Sequence, residues 1–175
     1  SIMNLIPAKN DIYLDLQRRL FQEARILSAE LYDEWLADIL SDDIYYRMDM
    51  PQRRFREDKS GQRAPAKTPI FNDDLASLKV RIGRYDTGFV WAENPMNASR
   101  HIISNVEVFE MDEKSQFKVY SIVELHRSRL NADRKRFTVG REDIWVKSEK
   151  GYQLLERLMT LDDSVVLDSN MNFFL

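Results

Sequence analysis

The sequence predicts an α+β fold, and three observations predict it. Apolar residues recur every three or four positions through the first forty residues. From Arg100 onward the apolar period shortens to two. The alternating stretches are long and separated by short polar turns, which makes neighbouring strands antiparallel. Helices first and a meander after give one curved sheet wrapped around N-terminal helices. Such a sheet, closed on one side by helices, makes a cone with an interior. The 175 residues are read as one domain, 1–175, long enough for a sizeable core.

Tyr13, Leu16, Leu20, Ala24, Leu27, Leu31 and Trp35 form the helical stripe. Asn10 or Asp11 offers an N-cap. The stripe is long for one helix, so a break is expected near Ser28–Glu30, and the helical pattern fades at Ser41. Ile44–Met50 reads as a strand that Pro51 ends. Residues 51–70 carry Pro51, Gly61, Pro65 and Pro69 among many charges and read as a long loop, a candidate for ordering against a neighbour. Asn72–Arg84 reads as a short helix with Asn72 as N-cap, Asp73 and Asp74 in its first turn and Arg81 and Arg84 near its end. Four strands follow: Arg100–Glu110, Phe117–Arg129, Lys135–Lys147 and Gln153–Leu161. In the second of these, Phe117, Val119, Ser121, Val123 and Leu125 share one face.

Composition excludes much chemistry. There is no cysteine and there are two histidines, His101 and His126. Disulfides, thiolate metal sites and a cysteine nucleophile are therefore impossible. Net charge is −3, which gives no reason to expect nucleic-acid binding. That charge is unevenly spread. The chain up to Tyr46 has nine acidic and four basic residues, whereas Arg47–Lys67 has three acidic and seven basic. No apolar run approaches a membrane span, and SIMNLIPAKN lacks the pattern of a signal peptide, so the expected location is cytoplasmic.

Four constellations could carry function. His101 with Asn105 and Glu107, His126 beside Glu124, and Arg141-Glu142-Asp143-Ile144-Trp145 could converge on a cavity as acid and base. The structural alternative, satisfied ion pairs on a sheet face, outweighs that, since two histidines in a chain this long need no special cause. A facial triad of His101, His126 and a carboxylate is weaker still, because no ligand-like spacing links them. Arg53-Arg54-Phe55-Arg56 is basic, but Glu57 and Asp58 follow, and a solvated loop or an acidic protein partner suits it better. The end, Met171-Asn172-Phe173-Phe174-Leu175, is apolar and must pack on its own core or on a partner.

Several stretches, in order, resemble a known family. They are FQEARILSAELYDEWLADILSDDIYYRMDMP (Phe21–Pro51), WAENP (Trp91–Pro95), SRHIISNVEV (Ser99–Val108), ELHRSR (Glu124–Arg129), GREDIW (Gly140–Trp145) and the apolar tail. The chain resembles the small (beta) subunit of bacterial aromatic-ring-hydroxylating dioxygenases, the Rieske non-haem iron oxygenases. WAENP followed by RHIISN is most similar to the biphenyl, benzene and polycyclic-arene branch. The resemblance implies a cystatin-like cone, shared with nuclear transport factor 2. It implies an α3β3 hexamer with contacts to a catalytic alpha subunit and to neighbouring beta subunits. The Rieske two-iron-two-sulfur cluster and the mononuclear non-haem iron would sit on the alpha subunit, fed from NADH through a reductase and a ferredoxin. No cofactor, metal or catalytic residue is implied for this chain. Interface anchors tend to be aromatic residues and arginine, which nominates Trp91, Arg100, Arg141, Phe173 and Phe174. Two readings compete with this one. In the first, the chain is a stand-alone cone-fold isomerase or dehydratase using His101 or a cavity carboxylate. In the second, it is a carrier with an open apolar cavity.

Overall fold

The computed structural model describes residues 4–49, 69–86, 98–128, 134–162 and 174–175. Helix α1 spans Asn10–Ser28. Its buried face holds Leu16, Leu20, Glu23, Ala24, Ile26 and Leu27, the expected stripe with one carboxylate inside it. The cap differs from expectation: Lys9 stands at the N-cap with no side-chain hydrogen bond, and Asn10 is already helical.

The expected break is a Schellman turn. The Leu31 amide donates to the Ile26 carbonyl at 3.0 Å and the Glu30 amide to Leu27 at 3.1 Å. Glu30 takes the left-handed conformation there, with φ 57°. The turn rotates Leu31 off the stripe and leaves it exposed, because the helical period does not carry across the break. A short helix α2 (Tyr32–Glu34) and a π-helical turn (Trp35–Ile39) then return Trp35 and Ile39 to the core.

Six strands follow: β1 (Leu40–Asp49), β2 (Pro69–Asp73), β3 (Ala98–Glu110), β4 (Gln116–Ser128), β5 (Arg134–Ser148) and β6 (Gly151–Leu161). They form one sheet in the order β2-β1-β6-β5-β4-β3. The four-strand meander stands as expected, but β1 joins it parallel to β6, so the sheet is mixed. Helix α3 (Leu75–Asp86) starts later than expected. Pro69–Asp73 is strand β2, and the cap is Asp74, whose Oδ1 accepts from the Ser77 amide at 2.8 Å. Asp73 instead pairs with Arg81 at 2.9 Å. The long-loop expectation for residues 51–68 lies outside the described residues.

Helix α1 packs on the inner sheet face. Arg19 fixes it there by donating to the carbonyls of Tyr152 and Asp38, each at 2.8 Å. Alternation along β4 and β5 puts Val119, Val123, Leu125, Phe137, Val139 and Trp145 inside. Bulges bend the sheet, with register shifting between Ser104 and Glu107 on β3 and between Ile144 and Trp145 on β5. In β6 the bulge changes parity: Tyr152 and Leu154 face inward, then Arg157, Met159 and Leu161 do. Without that extra residue Glu156 would point into the core and Arg157 out of it.

Candidate functional site

Arg157 is the centre of the cone interior and is fully buried. Register places it opposite Asp143 on β5, and α1 brings Glu23 down from above. All five guanidinium donors are used. Nε and one Nη2 proton reach the Asp143 carboxylate, each at 2.9 Å. The other Nη2 proton and one from Nη1 reach the Glu23 carboxylate, at 2.8 and 2.9 Å. The remaining Nη1 proton reaches the Leu175 carbonyl at 2.9 Å. Two indoles complete the carboxylates: Trp35 Nε1 donates to Glu23 at 2.9 Å and Trp145 Nε1 to Asp143 at 3.0 Å.

Arg141 adds a second buried cation. Its Nε donates to Ser121 at 2.9 Å, its Nη1 stands 3.9 Å from Glu23, and its Nη2 has no hydrogen-bond partner. Two guanidiniums thus face two carboxylates. Burial alone would raise the Glu23 pKa, but Arg157 and then Arg141 hold it below the usual carboxylate range. Burial disfavours the Arg157 charge too, yet Asp143 and Glu23 outweigh it and raise its pKa. Arg141, less well paired, is pulled down to about 10 by burial and by Arg157.

The tail closes this network. The Tyr46 hydroxyl donates to the Leu175 carbonyl at 3.0 Å and accepts from the Leu175 amide at 2.8 Å. Burial first, and the nearby Glu23, push the Tyr46 phenol up to about 12. The Phe174 ring packs against Tyr32 and Trp35, with centroids at 5.2 and 5.3 Å, and Arg81 lies 4.8 Å over it. His101 holds the backbone of the tail. Its Nε2 must carry a proton, because its partner at 2.7 Å is the Phe174 carbonyl, which can only accept. Nδ1 therefore accepts from the Ser28 hydroxyl at 2.8 Å, while Ser28 Oγ accepts from the His101 amide at 2.9 Å. Burial lowers the His101 pKa to about 4, against the Phe174 carbonyl, which raises it.

This arrangement is a structural clamp. Glu23, Asp143, Arg157 and both nitrogens of His101 are saturated by groups of the chain itself, so none is placed to move a proton to or from a substrate. The convergence expected of these segments ends within the chain itself: Asp143 in an ion pair with Arg157, Arg141 beside Glu23 with its Nη2 unpartnered, and His101 on Ser28 and the Phe174 carbonyl. A shared metal site fails on geometry. Arg100 pairs with His126 across β3 and β4, so His101 and His126 point to opposite faces. His101 is buried inside and His126 lies outside, 3.6 Å from Glu124. Among the described residues no cluster could hold a metal ion.

Arg141 and Phe174, expected at an interface, are 3% and 2% exposed within the chain's own core. That placement corrects the expectation for these two residues: Arg141 serves the ion network, and Phe174 fills the cone. Arg100 is exposed on the outer sheet face. Trp91 and Phe173 lie outside the described residues. The centre of the site, Glu23 and Arg157, was not singled out from the sequence. The signals were a carboxylate on an apolar helical stripe and a parity change along β6.

A sequence profile described as ring hydroxylating beta subunit matches residues 22–168. The chain belongs to that family. As a beta subunit it is 28% identical over 171 residues to the biphenyl 2,3-dioxygenase subunit beta of Rhodococcus jostii, covering 96% of this chain and 91% of that one. In fold it matches a structure of naphthalene 1,2-dioxygenase with indole bound in the active site. The TM-score is 0.88 at 22% identity, over 99% of this chain and 91% of the other. A Nostoc punctiforme protein of unknown function with a cystatin-like fold matches with a TM-score of 0.59 at 14% identity, over 93% of this chain and 100% of that one. The cystatin-like cone expected from the resemblance is therefore the fold of this beta subunit. Among the described residues no helix is long and apolar enough to cross a membrane.

Proposed function

We propose that this chain is the non-catalytic framework subunit of an aromatic-ring-hydroxylating dioxygenase. It would stand beside a catalytic alpha subunit in an α3β3 hexamer, as a single domain over residues 1–175, in the cytoplasm. The complex would convert an arene, dioxygen, NADH and a proton into a cis-dihydrodiol and NAD+, as a step in aromatic hydrocarbon catabolism. Electrons would arrive through a reductase and a ferredoxin. The Rieske cluster and the mononuclear iron would sit on the alpha subunit. The donor set of this chain fits neither group, since a Rieske centre needs two cysteines and two histidines, and here there are no cysteines and one of the two histidines is committed to Ser28 and Phe174.

The observation that carries this reading is the filled interior. The cone of this chain is occupied by its own Trp35, Tyr46, Trp145, Phe174 and Leu175 around a fully paired Arg157. The isomerase or dehydratase reading needs a free polar pocket, and His101, its candidate base, has both nitrogens engaged. The test is co-expression with the large (alpha) chain of a dioxygenase of this family. The expected result is one complex in which iron and turnover both depend on the large chain, with none in this chain alone. Arene turnover or isomerase activity by this chain alone, lost on His101→Gln, would overturn the proposal.

A further inference from the structure

Phe174 and Leu175 sit in the cone as a ligand sits in a site. A segment that belongs to a sheet is held by backbone partners. These two residues are held by side chains that converge from three strands. His101 on β3 donates from Nε2 to the Phe174 carbonyl at 2.7 Å. Tyr46 on β1 donates its hydroxyl to the Leu175 carbonyl at 3.0 Å and accepts from the Leu175 amide at 2.8 Å. Arg157 on β6 donates from Nη1 to the same carbonyl at 2.9 Å.

The Phe174 ring lies in an aromatic cage. Tyr32, Trp35 and Tyr46 surround it with centroids at 5.2, 5.3 and 6.5 Å, and the Arg81 guanidinium lies 4.8 Å over it. Arg81 also lies 4.0 Å over Phe71, so that wall of the cage keeps a ring contact without Phe174. Edge-to-face and cation–π contacts favour an aromatic occupant over an aliphatic one of equal size.

The interior also holds a donor that the tail does not meet. Arg141 is 3% exposed, and its Nη2 has no hydrogen-bond partner among the described residues. Its Nη1 stays 3.9 Å from Glu23, whose oxygens are taken by Arg157 and Trp35. Arg141 acts on the charge of His101 and is acted on by Tyr46, so it stands among the groups that hold the tail. A buried guanidinium paired this poorly favours a further acceptor, and an anionic one most.

We propose that the cone interior is a binding site for an aromatic carboxylate, occupied in cis by Phe174 and Leu175. The tail gives the outline of the ligand: an aryl ring, a two-carbon spacer and an oxygen acceptor, the skeleton of 3-phenylpropanoate. The ring takes the cage. The carboxylate takes the donors that the tail carbonyls vacate on His101, Tyr46 and Arg157, with Arg141 Nη2 as a further donor. Charge-assisted hydrogen bonds replace neutral-acceptor ones, and this opposes the high effective concentration of a tethered tail. The inference goes beyond the framework reading and does not rest on it.

The test is calorimetric titration of 3-phenylpropanoate into the full chain, as wild type and as the double variant Phe174→Gly with Leu175→Gly. The double variant keeps the chain length and removes the occupant. It should bind one equivalent at least tenfold more tightly than the wild type. Propanoate, which lacks the ring, and 3-phenylpropanamide, which lacks the charge, should each bind it at least tenfold more weakly. Arg141→Gln in the double variant should weaken the carboxylate about tenfold and leave the amide unchanged. A folded double variant without saturable binding, equal binding by wild type and double variant, equal binding of propanoate, or no effect of Arg141→Gln would each overturn the proposal. If the double variant does not fold, Phe174→Ala keeps the Leu175 anchors and vacates only the cage. Toluene should then raise its melting temperature more than methylcyclohexane does, and equal shifts or none would overturn the proposal.

Discussion

Arg157 shows how one side chain can organise an interior. Its five donors are divided between two carboxylates and one carbonyl, so removing it strands Glu23 and Asp143 in an apolar core. Breaking a buried pair in this way costs about 3–5 kcal/mol. Arg157→Met should therefore lower the urea unfolding free energy by that amount, whereas Glu156→Met, on the outer face, should leave it nearly unchanged. His101 gives a pH signature. Its pKa falls from an unfolded 6.5 to about 4 in the folded chain, chiefly through burial. Between those two values the unfolded state binds the extra proton, so stability falls as pH falls through that window. The full difference is about 3 kcal/mol. Above pH 6.5 the contribution of His101 is complete, and below pH 4 it is gone. Melting temperatures from pH 7 to 4 should decline steeply for the wild type and less steeply for His101→Gln.

At the scale of elements, α1 and the tail carry different loads. Leu20 is fully buried on the α1 stripe against the sheet. Leu20→Ala should cost about 2–5 kcal/mol, read as a lower urea midpoint. Phe174 is the plug between α2, the π-helical turn and α3, and Phe174→Ala should cost about 3–5 kcal/mol. The elements themselves were largely legible. The four meander strands fall within two residues of their expected bounds, because strict alternation between short polar turns leaves little freedom. Strand β2 was not legible. Pro69-Ile70-Phe71-Asn72-Asp73 is short and opens on proline, and it exists because β1 offers it an edge. The α3 cap was misplaced for the same reason: Asn72 and Asp73 belong to that strand, and Asp74 caps the helix.

At the scale of the whole molecule, the interior is closed by the chain's own residues, which suits a framework subunit. Its consequence is measurable: removing metal from the complex with a chelator should abolish turnover while leaving the melting temperature of this chain, purified alone, unchanged. The candidate site was half legible. Arg141, Asp143 and His101 stood out as charged or titratable residues on predicted strands; Arg141 and Asp143 join the Glu23–Arg157 network, whereas His101 holds the tail that closes it. Their meaning was not legible, because saturation depends on which atoms arrive from elsewhere. Glu23 comes from α1, and the Leu175 carbonyl comes from the far end of the chain.

By itself the sequence determined the fold class, the meander and the absence of any cysteine-borne chemistry. Periodicity is a local property, and residue types are fixed before folding begins. Only the tertiary structure decided that β1 runs parallel to β6, that a bulge turns Arg157 rather than Glu156 inward, and that Phe174 is a plug and not an exposed anchor. Those outcomes depend on register and on contacts between residues more than a hundred positions apart, such as Glu23 with Arg157 and Tyr46 with Leu175. No local pattern encodes such contacts. They are selected when the buried charges find the one packing that leaves Arg157 without an unmet donor.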